Sequence, residues 1–320
     1  MEFVPSLRKK AVRKEKYYYL ELTVRADKLR NYSVYLGKNK PNNEKWNEAR
    51  ERLIQNAILD LAGETGAEFL SKEQILTCEI LRRRYGSKLK RMGPSQQREM
   101  ERFEVSNFVY TTLTTEGIPI SKGDVERAMG IREKKVLKDF NLDVSLAMAQ
   151  GVGKVQEMGK ITRESLKDLH GMIMRDFPQA NPGGFRKGRA VVRRFDTITG
   201  SGSLISFEPA PPERIEKDVE GLVEWYNGAE GVYTLEKAAL AHLKLYLIHP
   251  FSDGNKRMSR LLLNKALFEK GFPILNVSKN EDGYFNALVK SVETKDPRHF
   301  VEFVYSVFVE KCSGKPKLEK

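Results

Sequence analysis

Cysteine is nearly absent from this 320-residue chain: Cys78 and Cys312 stand far apart, and neither belongs to a C-x-x-C pair. That excludes a disulfide framework and a cysteine zinc cluster, and it fits a reducing, cytoplasmic setting. Long hydrophobic runs are missing as well. No apolar stretch approaches the roughly 18 residues a membrane span needs, and Arg8, Lys9 and Lys10 lead into strand-like sequence instead of a signal-peptide core. The expectation is a soluble, intracellular protein without a membrane partner. Internal repeats and low-complexity tracts are absent too.

What is abundant is positive charge. Lys and Arg number 56 against 43 Asp and Glu, a formal net charge of +13, on a chain that is 40% hydrophobic and therefore able to build a core. Such a surface attracts polyanions, acidic proteins or phosphorylated ligands. Residues 1–40 alone hold 11 Lys/Arg and 4 Asp/Glu. Within them Tyr17–Val24 and Tyr32–Gly37 are rich in β-formers, and residues 26–31 read as the turn between them. The pattern predicts a basic, aromatic β-hairpin over 1–42. Such a hairpin could contact nucleic acid or an acidic partner at residues 1–40, or its lysines could merely protect a sheet edge.

From Asn43 the periods turn helical, with Leu53, Ile54, Ala57, Ile58 and Leu61 at three-to-four spacing. Gly93-Pro94-Ser95 starts a helix that runs to a stop at Gly117-Ile118-Pro119, and Thr162-Arg163-Glu164-Ser165 opens another. Between Asn181 and Pro212, glycines punctuate two β-like pieces, 190–195 and 203–207, which predict a hairpin set among helices. Helical patterns then return to the end of the chain, so the fold class is mainly α.

The segment His249-Pro250-Phe251-Ser252-Asp253-Gly254-Asn255-Lys256-Arg257-Met258-Ser259-Arg260 gathers an imidazole, a carboxylate, a glycine and three cations at a helix start. Gly254 and Asn255 can turn successive main-chain N–H groups toward one point, and the first turn of the following helix adds free donors and its positive dipole end. Arg257 and Arg260, three apart, can both reach one polyphosphate. Asp253 is placed to hold a magnesium ion bridging its oxygens. His249 needs only a free ring nitrogen to take a proton from an attacking hydroxyl.

This segment resembles the H-x-F-x-(D/E)-G-N-G-R-x-x-R signature of the Fic domain family at His249, Phe251, Asp253, Gly254, Asn255, Arg257 and Arg260. The resemblance extends over about 161–309, through Leu169-His170, Gly184-Phe185-Arg186, Trp225-Tyr226-Asn227 and Ala241-His242. It implies a helical core with a β-hairpin flap, and transfer of AMP from ATP, with Mg²⁺, to a hydroxyl of a target protein. In that scheme His249 is the general base and Asp253 the metal ligand. Gly254 and Asn255 form the anion hole, Arg257 faces the β-phosphate, and Arg260 holds the γ-phosphate. The flap at 190–207 would pair its main chain with the target segment and present a Ser, Thr or Tyr hydroxyl. Tyr284 resembles a tyrosine lining the adenine pocket. His170, His242 and His299 read as structural.

Lys256 replaces the second glycine of the signature. Relatives of the Doc toxin carry lysine there, and in that branch the resemblance implies transfer of a terminal phosphate. Retention of Gly254 favours AMP transfer. Thr112-Leu113-Thr114-Thr115-Glu116-Gly117 resembles the (S/T)-x-x-x-E-(G/N) inhibitory motif that some Fic proteins carry on a helix, here about 95–117. Thr112 and Glu116 fall on one helix face, and Glu116 pairing with Arg260 would occupy the cation that the γ-phosphate needs. The same glutamate could orient a water to remove AMP. The rival class is a nucleic-acid or protein-binding module with an inactive Fic core. The organisation expected is a hairpin over 1–42, a helical region over 43–160, a Fic domain over 161–310 and a basic tail over 311–320, with homo-oligomerisation left open.

Overall fold

The computed structural model of the chain describes residues 3–12, 14–63, 66–130, 139–195 and 204–314. It is mostly helical, and the Cα framework divides into two compact units. One comprises Met1–Met92 with the segment from Phe308, and the other Gly93–Val307.

The first unit opens with β1 (Ser6–Val12), β2 (Glu15–Arg25) and β3 (Leu29–Gly37), an antiparallel meander with β2 in the centre. The expected hairpin is therefore a three-stranded sheet. Its first strand escapes a sequence reading because Arg8, Lys9 and Lys10 replace the usual β-formers. They are held instead by β2: Lys10 Nζ lies 2.6 Å from Glu21, and Lys9 and Lys10 sit over the rings of Tyr18 and Tyr19. The turn is also tighter than 26–31, since β3 already begins at Leu29. Leu20, Leu22, Val24, Val34 and Leu36 form the sheet's buried face, against which packs α1 (Asn43–Ala62), capped by the Asn42 side chain. Next comes α2 (Lys72–Lys90), opened by a Ser71–Gln74 capping box.

The second unit begins with α3 (Pro94–Thr114), α4 (Lys122–Gly130), α5 (Phe140–Glu157) and α6 (Arg163–Ile173). Strands β4 (Val192–Phe195) and β5 (Leu204–Phe207) pair antiparallel; the tip of the expected flap, 196–203, lies outside the described residues. Then follow α7 (Ile215–Gly228), α8 (Thr234–Ile248), α9 (Asn255–Phe268), α10 (Glu281–Glu293) and α11 (Arg298–Ser313).

Helix α3 is shorter than the 95–117 expected. It closes with the Ile118 N–H donating to the Leu113 carbonyl (3.2 Å) and the Gly117 N–H to that of Thr114 (2.9 Å), with Gly117 at φ +77°. This is a Schellman closure, for which a left-handed residue is required and glycine is the cheapest choice. Glu116 thus sits in the closing turn, not on the helix face with Thr112. Helix α9 fixes where the chemistry lies. Apart from Lys256, every residue from Asn255 to Leu267 is buried, so α9 is a central core helix packed on α8 and α5. Arg257 and Arg260, on its first turns, are therefore inside the protein.

Candidate functional site

The link between α8 and α9 is a tight polar turn. At its start His249 takes a left-handed backbone (φ 51°, ψ 57°), and at its end Gly254 does so too (φ +79°). A side chain at Gly254 would also collide: a Cβ there would come within 2.7 Å of Met174 Sδ and 3.3 Å of His170 Nε2. Glycine is thus required both by its dihedral and by space. Asn255 braces the turn, its Nδ2 donating to the Phe251 carbonyl (2.8 Å) and its Oδ1 accepting the Phe251 N–H (3.0 Å). With its side chain spent on the loop, Asn255 can offer an anion only its main-chain N–H, one of the donors left free at any helix start.

Two neighbours hold this turn from outside. His170 stacks flat on Phe251 at 3.7 Å between centroids and contacts the Asp253 carbonyl through Nε2 at 3.0 Å. Its Nδ1 accepts the Gly183 N–H (2.9 Å), so the proton must reside on Nε2 and the ring is neutral. Burial pushes its pKa down to about 4, consistent with that tautomer. Arg186, within the Gly184-Phe185-Arg186 stretch, is buried and donates to four main-chain carbonyls: His249 (2.7 Å), Gly188 (2.7 Å), Ile248 (3.4 Å) and, at short range, Ala210. Its own N–H reaches the Pro250 carbonyl at 2.9 Å. One guanidinium thus ties the histidine turn to both ends of the segment that carries β4 and β5. Sequence reasoning gave this arginine no role, because its acceptors are all main-chain atoms.

His249 is half-buried, and its Nδ1 lies 3.2 Å from the Tyr246 carbonyl. A carbonyl can only accept, so Nδ1 carries the proton and Nε2 keeps its lone pair. Burial drives the pKa of His249 down to about 4, and the nearby Arg186 and Lys256 cations add to the effect against the pull of the Tyr246 carbonyl. At neutral pH the ring is an unprotonated base with its free nitrogen away from α8.

The cations behave as their place on α9 dictates. Arg257 pairs through Nη2 with Asp253 at 3.2 Å and lies over the Phe177 ring at 4.9 Å. The Asp253 carboxylate itself stays 54% exposed. Arg260 is fully buried above the Tyr284 ring, 5.0 Å away, and reaches the Thr112 carbonyl at 3.2 Å. Four buried nitrogens, Nε and Nη1 of Arg257 and Nε and Nη2 of Arg260, have no hydrogen-bond partner among the described residues. Stranding such donors is costly, and an anion would satisfy them. Tyr284 is buried, with its hydroxyl against His242 Nε2 at 2.9 Å; it supports Arg260 from beneath.

Glu116 enters from the end of α3. Its Oε1 lies 3.1 Å from Arg260 Nη1 and its Oε2 3.1 Å from Lys256 Nζ, with only 9% of the side chain exposed. One carboxylate therefore straddles two of the three motif cations. Lys256, which also lies over the Phe285 ring at 5.4 Å, turns toward Glu116. Thr112 contributes its carbonyl to Arg260, while its buried hydroxyl has no partner among the described residues. Of the residues expected at the site, the structure brings together His249, Asp253, Gly254, Asn255, Lys256, Arg257, Arg260, Thr112, Glu116 and Gly117. Tyr284 forms their floor.

The Fic/DOC family model matches residues 160–267. Among curated proteins, the chain is 30% identical over 219 residues to protein adenylyltransferase fic-1 of Caenorhabditis elegans, covering 65% of this chain and 40% of the relative. It is 26% identical over 205 residues to protein adenylyltransferase Fic of Nematostella vectensis, covering 61% of this chain and 45% of the relative. The chain thus spans less than half the length of these relatives. Among solved structures, a Fic domain containing signaling protein from Bacteroides thetaiotaomicron superposes with a TM-score of 0.61 at 22% identity, covering 76% of this chain and 99% of that one. A Fic-1 fragment from Caenorhabditis elegans gives 0.60 at 21%, covering 86% and 77%. At these identities the shared property is the fold.

Proposed function

Because residues 160–267 form a Fic domain, we propose that the chain is a protein adenylyltransferase that moves AMP from ATP to a Ser, Thr or Tyr hydroxyl of a target protein and is held off by Glu116. The observation that carries this reading is the set of four buried, unshared guanidinium nitrogens of Arg257 and Arg260 beside the Gly254 turn. Those donors, with the N–H groups at the start of α9, suit a polyphosphate. His249 Nε2 takes the proton from the target hydroxyl as its oxygen bonds to the α-phosphorus. The bond from that phosphorus to the bridging oxygen breaks, and pyrophosphate leaves against the two arginines. Positioning and charge neutralisation supply most of the acceleration in such a transfer.

Magnesium fits the same residues. Asp253 offers one exposed carboxylate beside the cradle, and Mg²⁺ characteristically takes one or two carboxylates together with phosphate oxygens and water. Bound there it would supply charge neutralisation on the phosphates. The paired strands β4 and β5 offer main chain for docking the target segment by strand addition.

Glu116 accounts for the resting state. Its carboxylate meets Arg260 and Lys256 at 3.1 Å each, so it takes the contacts a phosphate would need, and ATP must displace it or bind unproductively. Lys256 serves as a second latch on the glutamate and leaves the Gly254 turn uncrowded, which favours attack at the α-phosphate over the reversed, Doc-like alternative.

The test is incubation with Mg²⁺ and ATP labelled separately at the α- and γ-positions. Glu116→Gly raises incorporation of the α-label into protein, and adding His249→Ala abolishes it. Incorporation of the γ-label instead would establish phosphate transfer, and equal labelling of the two variants would reject both residue roles.

A further inference from the structure

The first unit carries a second collection of cations that the transfer reaction does not use. On α2, Arg84, Lys88 and the capping residue Arg91 follow an i, i+4, i+7 spacing that puts them on one face. They line a groove of about 650 Å³ together with Arg25 and Lys28 from the turn between β2 and β3. The Arg84 Nε donates to the Arg25 carbonyl at 2.6 Å, which closes the groove's floor. The one carboxylate along it, Asp27, is already held by Arg30 at 3.1 Å. Among the described residues no carboxylate pairs with the five lining cations. Like charges set four apart on a helix oppose folding, so an anionic ligand is what such a cluster suits.

An independent feature lies on the same sheet. The face of β2 opposite its buried leucines carries Tyr17, Tyr19, Glu21, Thr23 and Arg25 in alternation. Tyr35 of β3 joins the two tyrosines, its ring centroid 6.0 Å from Tyr17 and 5.4 Å from Tyr19, while 54% of it stays exposed. Lys10 and Lys38 lie over the rings of Tyr19 and Tyr17. Edge protection does not account for this cluster, because Tyr17 and Tyr19 are on the central strand. Arg25 belongs both to this face and to the groove. Six residues of extended strand separate it from Tyr19, about 20 Å, or some six stacked nucleotide steps at 3.4 Å each.

We propose that this sheet and the α2 groove form a binding site for single-stranded nucleic acid. The groove cations take phosphates, and the tyrosine cluster takes unpaired bases by stacking. Accessible rings favour a single strand over a duplex, whose bases are already stacked on one another.

The test is fluorescence anisotropy of the full chain with a labelled single-stranded oligonucleotide across a salt series, with a duplex and poly-glutamate as competitors. Single strand should compete best. Arg84→Gln, Lys88→Gln and Arg91→Gln combined should shrink the log–log salt slope by about 2, as expected for three lost contacts at ~0.7 each. Tyr35→Ala should weaken binding roughly 5–150-fold with the slope unchanged. Tyr35→Phe should keep the affinity, which separates loss of the ring from loss of the fold. Equal competition by poly-glutamate, preference for the duplex, a slope unmoved by the triple variant, or no binding at low salt would each overturn the proposal.

Discussion

At the start of α9, Arg257 and Arg260 are sealed in the core with unshared donors, and a glutamate from over a hundred residues upstream is brought against Arg260; along the end of α2, Arg84, Lys88 and Arg91 stand in solvent and pair with no carboxylate among the described residues. Both regions are basic, yet burial gives the cations different uses. A buried guanidinium in fixed geometry makes a selective contact, because whatever occupies it must match its donors, and in the proposed scheme it must also displace Glu116. An exposed cation is screened beyond about 10 Å at 0.1 M salt and contributes mainly a salt-sensitive, sequence-tolerant attraction. On the readings proposed above, positive charge thus serves a switch in one unit and an anion-binding surface in the other.

Substitutions that remove one property of the buried region should separate it sharply from the exposed one. In a Glu116→Gly background, His249→Ala should lower α-label incorporation by about 10²-fold or more, the range of a lost general base. Glu116→Gly alone should raise incorporation by about 10²-fold, comparable to restoring one charge-stabilising donor. Because a buried cation loses its partner, Glu116→Gln should also cost about 3 kcal/mol or more of stability. Thermal melting would record that loss, and ATP with Mg²⁺ should recover much of it by mass action. Lys256→Met, which frees one glutamate oxygen near the surface, should raise basal incorporation only two- to fivefold, matching about 1 kcal/mol for a partly exposed pair. Neutralising Arg84, Lys88 and Arg91 should leave melting within about 0.5 kcal/mol of the parent. A large stability loss there would erase the contrast.

The pH dependence follows from His249. Its folded pKa, about 4, lies below the ordinary imidazole value of 6.5, so the fold favours the unprotonated ring. That contribution to stability is present above 6.5 and is lost as the pH falls toward 4. Transfer by the Glu116→Gly variant should accordingly stay level from neutral pH down to about 5 and fall with a midpoint near 4. A midpoint near 6.5 would show that the ring is solvated and not held as described.

The motif from His249 to Arg260 was legible in the sequence because its groups are contiguous and its turn residues need particular dihedrals. Glu116 was legible as a short motif, and its approach to Arg260 followed. Its second contact, to Lys256, depends on where α3 ends relative to α9, which no local pattern states. Arg186 stood in the sequence only as part of the resemblance, and its role was hidden for a related reason: its four acceptors are main-chain carbonyls, which every residue possesses. Strand β1 was hidden by its own chemistry, since lysines and arginines on an edge strand lower the β-signal while their partners, Glu21 and the tyrosines, sit on the next strand. Tyr284 resembles a tyrosine lining an adenine pocket; that it lies buried against His242 and beneath Arg260 depends on tertiary packing that no local pattern states.

If a triphosphate settles on the Gly254 turn once Glu116 withdraws, a crystal structure of the Glu116→Gly chain with ATP and Mg²⁺ should record it. Phosphate oxygens are expected within hydrogen-bond distance of Arg257 Nε and Nη1 and Arg260 Nε and Nη2, with His249 Nε2 facing the α-phosphorus. Those four donors turned instead onto protein groups, with the nucleotide absent or bound elsewhere, would contradict it.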